Sequence, residues 1–289
     1  MLSGLWTTSE TLTMAATPEW YRSPSQILMD LGIEDPSDID IEAIAEDCGA
    51  TIRYQPLSGC AARIMGYNNR AIITVDNNSP RPRQRFSAGH ELGHWMKDRG
   101  QVAFQCLDGV FVREWSSANP ETRANRFASD LLMPGKMFRQ YASGRSITFE
   151  TVQSLATTFC TSLTATAIRL IEYGDLPGML ICNSRGKREW FIASSDVKGK
   201  IWPEPQPGTG SIAHALLKGE GKSFQPKDVG SDEWLNHRNA RNYWIHEDSR
   251  LLSNGIVLTL LWWKDEKQLI DIDNDVEERD SWRSDYRSE

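Results

Sequence analysis

The feature that most constrains this chain is the pentapeptide His-Glu-Leu-Gly-His at residues 90–94. On a helix, two histidines four residues apart lie on one face, where both imidazoles can bind a single metal ion. The chain has only 5 histidines among its 289 residues, so chance explains the pattern poorly. We therefore expect a helix of about 14 residues that ends before Gly100 and carries His90 and His94 as metal ligands.

A catalytic zinc ion takes three protein ligands and keeps a fourth position open, so a third ligand is expected downstream. Glu121 is the best candidate because it begins a second predicted helix. On that helix Asn125 lies one turn later and can accept the outer N–H of a liganding histidine. Asp108 and Glu114 are weaker candidates because both are predicted to lie in a loop. No third histidine follows His94 closely, which excludes the longer metzincin pattern.

The residue types of this site indicate amide hydrolysis. Zinc lowers the pKa of a bound water to about 7 and polarises a carbonyl group, and Glu91 can move the proton of that water to the leaving amine. A ligand set of two histidines and one glutamate also accepts Mn²⁺ or Fe²⁺. The sequence does not place an oxyanion stabiliser beside the metal. For His214, His237 and His246, core or surface roles are favoured, and the rival is that one of them stabilises the oxyanion.

Hydrophobic patterning predicts an α+β protein with five segments. These are a leader (1–20), a metal-binding domain with a small antiparallel sheet (21–145), a pair of helices similar to a helix-turn-helix (146–174), a second α+β domain (175–265) and an acidic tail (266–289). The second metal-site helix should begin at Pro120 and end before Pro134, and the helical pair should span residues 149–159 and 163–173. In the second domain, strands are expected around residues 178–182, 190–193 and 256–263.

Composition excludes several protein classes. The longest apolar run, residues 256–263, is far shorter than the roughly 18 residues of a membrane span. The N-terminus has no signal-peptide pattern, which predicts a cytoplasmic protein. The 5 scattered cysteines predict free thiols rather than a disulfide framework. The net charge is −7, so there is no basic field for nucleic acid, and direct nucleic-acid binding is not expected.

Two stretches carry a family resemblance: RFSAGHELGH at residues 85–94 and ETRANRFASDLLMP at residues 121–134. Together they resemble the paired signature of the ImmA/IrrE family of metallopeptidases, over residues of about 38 to 173. The resemblance implies a zincin-like domain and a cytosolic zinc enzyme. It further implies cleavage of a cognate helix-turn-helix repressor, which releases stress-response or mobile-element genes. The second domain is only loosely similar to the sensor-like, GAF-like domain of some relatives.

The sequence departs from its relatives at two positions near the motifs. Many relatives carry Ala or Leu in place of Gly89 and a second acid in place of Arg123. Neither position is a predicted ligand, so the expected metal site is unaffected.

The alternative function is a DNA-binding or ligand-sensing transcription regulator in which the metal is structural. Against DNA binding, the helical pair contains Arg169 as its only basic residue, with Glu150 and Glu172 opposing it. The sequence leaves the oligomeric state open.

Overall fold

The structure is a computed structural model that describes residues 20–98, 119–197, 201–221, 224–237, 239–253, 255–264 and 267–271. The expected leader up to residue 19, the loop residues Asp108 and Glu114, and most of the acidic tail lie outside these ranges. Within them the protein is mixed α+β with two β-sheets. No helix in these ranges is both long and apolar enough to cross a bilayer.

The first sheet is mixed, so the expectation of an antiparallel sheet is wrong. Two short helices precede it, α1 (Pro24–Asp30) and α2 (Ile41–Asp47), and its strands are β1 (Ala50–Gln55), β2 (Ala62–Tyr67) and β3 (Arg70–Asp76). Strands β2 and β3 form an antiparallel hairpin, but β1 pairs in parallel with β3. The physical reason is burial: β3 carries Ile73 and Val75, both at 0% exposure, and it takes the centre of the sheet between the other two strands.

Helices α3 (Arg81–Lys97) and α4 (Pro120–Leu132) follow the sheet. Helix α3 is 17 residues long, slightly longer than expected, and its sequence contains none of the β-branched residues that restrict helical rotamers. Helix α4 begins where the sequence predicts. Its N-cap Asn119 accepts the backbone N–H of Glu121 (3.0 Å) and Pro120 occupies the first turn. The predicted apolar stripe of α4, from Ala124 to Leu132, is buried.

Three more helices complete the first part of the chain: α5 (Gly135–Ala142), α6 (Phe149–Phe159) and α7 (Leu163–Tyr173). The bounds of α6 and α7 are those predicted from their apolar periodicity. Between them Cys160 adopts a left-handed conformation (φ 50°), which ends α6 and allows the chain to turn. The apolar faces of both helices are buried in the main core.

The second sheet is built from β4 (Gly178–Ser184), β5 (Lys187–Ala193), β6 (Lys227–Gly230), β7 (Trp244–Leu251) and β8 (Ile256–Trp262), with helix α8 (Ile212–Lys218) between β5 and β6. Its five strands are antiparallel and lie in the order β5-β4-β8-β7-β6. The predicted strands near residues 178, 190 and 256 are thus present.

The two faces of the second sheet pack against different partners. Alternate residues of β4 and β8, such as Leu180 and Leu258, belong to the same hydrophobic core as α6 and α7. The intervening residues, such as Ile181 and Leu261, form a second core that includes α8. The main hydrophobic core therefore contains residues from both sides of Gly174, where the sequence pattern changes from helical to strand-like.

Candidate metal centre

The candidate centre forms where α3 and α4 pack side by side at unusually close range. A Cβ atom added at Gly93 would lie 3.1 Å from the Cα of Ala124 and 3.1 Å from the Cβ of Phe127. These distances are shorter than ordinary van der Waals contact, so a side chain at position 93 would require the two helices to separate by a few tenths of an ångström. The close packing brings side chains from both helices to one point.

Three side chains converge there, two from α3 and one from the first turn of α4. The Nε2 atoms of His90 and His94 are 3.2 Å apart. Glu121 places Oε2 3.2 Å from His90 Nε2 and Oε1 3.3 Å from His94 Nε2. Among the described residues, this is the group of at least three His, Cys, Asp or Glu side chains whose ligand atoms lie within 4.8 Å of one another.

The spacing of these atoms fits a tetrahedral metal site. Zinc bonds to nitrogen and oxygen of about 2.0–2.1 Å place tetrahedral ligand atoms roughly 3.3 Å apart. The two nitrogens are 3.2 Å apart, and they lie 3.2 and 3.3 Å from the two different oxygens of the Glu121 carboxylate. The donor chemistry fits as well, because two imidazole nitrogens and a carboxylate facing one another at this range need a cation or a proton between them. The group could therefore hold a metal ion.

The outer nitrogen of each histidine is held by a different kind of acceptor. His90 Nδ1 donates to Oδ1 of Asn125, at 2.9 Å, from the second turn of α4. His94 Nδ1 donates to Oδ2 of Asp98 at 3.0 Å. Since a carboxylate or amide oxygen can only accept, both rings carry their proton on Nδ1 and turn the Nε2 lone pair toward the centre of the site.

Asp98 and Arg123 were not singled out in the sequence as site residues. The carboxylate of Asp98 is buried and its second oxygen accepts from Nη2 of Arg123 at 2.7 Å. A signal was available, because Asp98 follows His94 by four residues and therefore lies on the same helical face. The partner Arg123 could not be found this way, because its contact depends on how α4 packs against α3.

Electrostatics distinguish the two histidines. Burial lowers the pKa of His90, but its hydrogen bond to Glu121 and the nearby charge of Glu91 outweigh burial, so that this pKa lies above its ordinary value. The pKa of His94 is lowered by burial and by the adjacent His90. His90 therefore accepts an additional proton more readily than His94 does, and protons compete with a cation for these ring nitrogens.

Glu91 lies within the packed part of α3 and is only 1% exposed. Its charge is close enough to contribute to the raised pKa of His90. By contrast, the side chain of Glu121 is 34% exposed, whereas those of His90 and His94 are 9% and 1% exposed. The centre is therefore most accessible to solvent on the side of Glu121.

The three remaining histidines make other contacts. His246 pairs with Asp228 and stacks on Trp262, with ring centroids 5.1 Å apart. The ring of His237 accepts the backbone N–H of Asn239 at 3.3 Å. His214 lies in α8, against the second sheet. None of these contacts joins the group of His90, His94 and Glu121 described above.

Comparison with known proteins gives one family match. Residues 45–170 match the family model of the IrrE N-terminal-like domain, a stretch that contains both metal-site helices and the helical pair α6–α7. No curated protein matches the chain. Among solved structures, a Mycobacterium tuberculosis transcriptional regulator is similar with a TM-score of 0.53 and 11% identity, over 82% of this chain and 73% of that protein. At this identity the similarity shows a shared fold.

Proposed function

We propose that this protein is a zinc-dependent endopeptidase of the ImmA/IrrE type, because residues 45–170 match the model of the IrrE N-terminal-like domain, a metallopeptidase family. The observation that carries the proposal is the convergence of three ligand atoms within 4.8 Å of one another, beside a buried glutamate. In this proposal His90, His94 and Glu121 hold the metal, and Glu91 is the general base. Mn²⁺ and Fe²⁺ remain alternatives to Zn²⁺ for this donor set.

The chemistry follows from the roles of the side chains. A zinc ion held here would supply Lewis acidity, which polarises the scissile carbonyl and acidifies a water molecule. Glu91 accepts a proton from the attacking water and delivers it to the nitrogen of the leaving amine. Asn125 accepts the N–H of His90 and keeps this imidazole oriented toward the metal position. The balanced result is hydrolysis of one peptide bond, with water added across it.

The proposed substrate is a cognate protein, for which a helix-turn-helix transcriptional repressor is our specific proposal, based on the family resemblance. Cleavage would then release stress-response or mobile-element genes in the cytoplasm. The partial exposure of Glu121 supports access by a polypeptide from that side.

The test combines the zinc-loaded full chain with helix-turn-helix repressors encoded in the same genome. Mass spectrometry should detect a single cut in one of them. The Glu91→Gln variant keeps the shape of the side chain but cannot accept the proton. It should therefore retain zinc and lose about 10²–10⁴-fold in rate. Glu150→Gln is the matched control, because Glu150 is an exposed glutamate on α6, outside the metal site.

Three outcomes would contradict the proposal. Cleavage by Glu91→Gln at the rate of the control would remove Glu91 from the mechanism. A wild-type protein that binds no divalent metal would contradict the metal site itself. If wild type and Glu91→Gln both bind zinc and neither cuts any repressor of the genome, the assignment of the substrate is wrong.

The alternative, a DNA-binding regulator with a structural metal, is not favoured by the helical pair. Arg169, its only basic residue, is 4% exposed and pairs with Asp130 at 2.5 Å and with Glu172 at 3.0 Å. A guanidinium engaged in this way is not available to neutralise a phosphate. For residues 175–265 we propose a sensor-like, GAF-like role. Support comes from an antiparallel sheet that packs on the helices of the peptidase part through one face and on α8 through the other.

A further inference from the structure

One ion pair bridges the two metal-site helices directly beside a ligand. Asp98 is the C-cap residue of α3, and its backbone N–H donates to the carbonyl of His94 at 2.7 Å. Its side chain, only 4% exposed, divides its two oxygens between His94 and Arg123. Arg123 lies on the first turns of α4, two residues after the ligand Glu121, and is 29% exposed.

We infer that Asp98 and Arg123 are positioning residues of the metal site: Asp98 orients His94, and Arg123 holds Asp98 while fixing the first turn of α4. This inference rests on the metal site of the proposed function. It is independent of the substrate.

The two carboxylate oxygens of Asp98 bind two different partners. A buried carboxylate needs partners for its charge, and here one oxygen takes the ring N–H of His94 while the other takes a guanidinium N–H. The first contact keeps the proton of His94 on Nδ1 and turns the Nε2 lone pair toward the centre of the site. The second contact anchors Asp98 to the helix that carries Glu121. A rotation of either helix would break one of these contacts.

The two histidines are consequently held unequally. His90 donates to a neutral amide, Asn125, whereas His94 donates to a carboxylate, which is the stronger acceptor. His94 should therefore be the more electron-rich of the two ligands. An acid at position 123 would repel Asp98, whereas arginine pairs with it.

The experiment measures the zinc dissociation constant of the full chain by competition with a chelator. Asp98→Asn keeps the shape but cannot satisfy both His94 and Arg123. Arg123→Met removes the guanidinium and keeps most of the stem. Each should weaken zinc binding by about 10–100-fold, the usual effect of losing an outer-sphere partner of a liganding histidine. The double variant should lose little more than Asp98→Asn alone, since both changes break one connected set of contacts.

The matched control is Arg126→Met on the same helix. Arg126 is 79% exposed, and its Nε lies 3.7 Å from Oδ2 of Asp130. This variant should bind zinc as the wild type does. Circular dichroism and thermal melting check that every variant folds. If Asp98→Asn does not fold, Arg123→Met carries the test, because the position of Arg123 is partly exposed.

A spectroscopic readout separates positioning from general stability. In long-range ¹H–¹⁵N spectra of the zinc-loaded protein, the ring N–H signal of His94 should shift or disappear in Asp98→Asn, while that of His90 stays. The inference is overturned if Asp98→Asn and Arg123→Met bind zinc within twofold of wild type. It is also overturned if the signals of both histidines change equally. A wild-type protein that binds no zinc would overturn the metal site and this inference together, whereas failure of repressor cleavage would affect only the proposed function.

Discussion

Replacing Gly93 by alanine should force α3 and α4 apart at the point where their ligands meet. The new methyl group would lie 3.1 Å from two carbon atoms of α4 and 3.2 Å from the carbonyl oxygen of Ala124. Ordinary contact begins near 3.4 Å, so the helices must separate by a few tenths of an ångström. Two of the three atoms belong to the backbone of Ala124 and cannot turn away.

Gly89 provides a matched control on the same helix and the same face. A Cβ atom there would meet the methyl group of Ala128 at 3.3 Å and its Cα at 3.4 Å, close to ordinary contact. Both substitutions gain about 1 kcal/mol in helix propensity. This gain cancels when the two variants are compared. The remaining difference is the cost of overpacking at Gly93, about 1–3 kcal/mol.

The assay compares thermal melting and zinc affinity of Gly93→Ala and Gly89→Ala in the full chain. For a protein of this size, about 1 kcal/mol corresponds to roughly 2–4 °C, so Gly93→Ala should melt several degrees below Gly89→Ala. It should also bind zinc at least tenfold more weakly. Displaced ligands that cost about 1.4 kcal/mol of binding free energy raise the dissociation constant tenfold. Equal melting temperatures and equal zinc affinities in the two variants would refute the argument that close helix packing assembles the site.

Further expectations concern the site and its surroundings. A His90→Ala, His94→Ala double variant should lose the bound zinc, and unchanged metal content by elemental analysis would place the metal elsewhere. Burial raises the pKa of Asp248, so the folded state binds this proton more tightly than the unfolded state does, and stability should fall as pH rises between the two pKa values. Asp248→Asn keeps an acceptor for the N–H of Phe149 and should remove this pH-dependent loss. Melting curves that respond identically to pH in both proteins would contradict that expectation. Arg169→Met should cost about 1–3 kcal/mol by removing charged hydrogen bonds, measurable by urea unfolding.

The local sequence pattern was sufficient to predict the helices that carry long apolar stripes or clear capping residues. Helices α6 and α7 have the bounds predicted from periodicity, and α4 begins at Pro120 as its N-cap signal indicates. The pairing of His90, His94 and Glu121 could be anticipated because two of them are fixed by one helix and the third begins the next. Helices α1, α5 and α8 were not predicted, since 7–8 residues give too few turns for a periodic signal.

What the sequence could not supply depends on contacts between distant segments. The parallel pairing of β1 with β3 follows from β3 taking the centre of the sheet, which the order of strands along the chain does not reveal. Likewise, Asp98 could be placed on the face of His94 by spacing alone, but its second partner Arg123 is 25 residues away. Only the packing of α4 on α3 brings that side chain to the carboxylate.

Helix α4 connects the metal centre to the rest of the protein, because it is held at both ends. Its first turns carry Glu121 and Arg123 at the centre. Near its last turn, Asp130 accepts from Arg169 of α7 at 2.5 Å, and Arg169 also donates to the carbonyl of Met133 at 3.1 Å. Helix α7 in turn packs against β4, whose Leu180 lies in the same core.

The second sheet also contacts the helices of the first part of the chain through a hydrogen bond. Asp248 of β7 accepts the N–H of Phe149, the first residue of α6, at 2.6 Å. A chain cut at Gly174 would lose this acceptor and expose the side of α7 that packs against β4. Such a fragment could lose zinc through a loosened α7 and α4 without any loss of a ligand. Any influence of the second sheet on the metal centre is therefore best examined in the full chain, with substitutions at Arg169 or Asp248 that leave both cores in place.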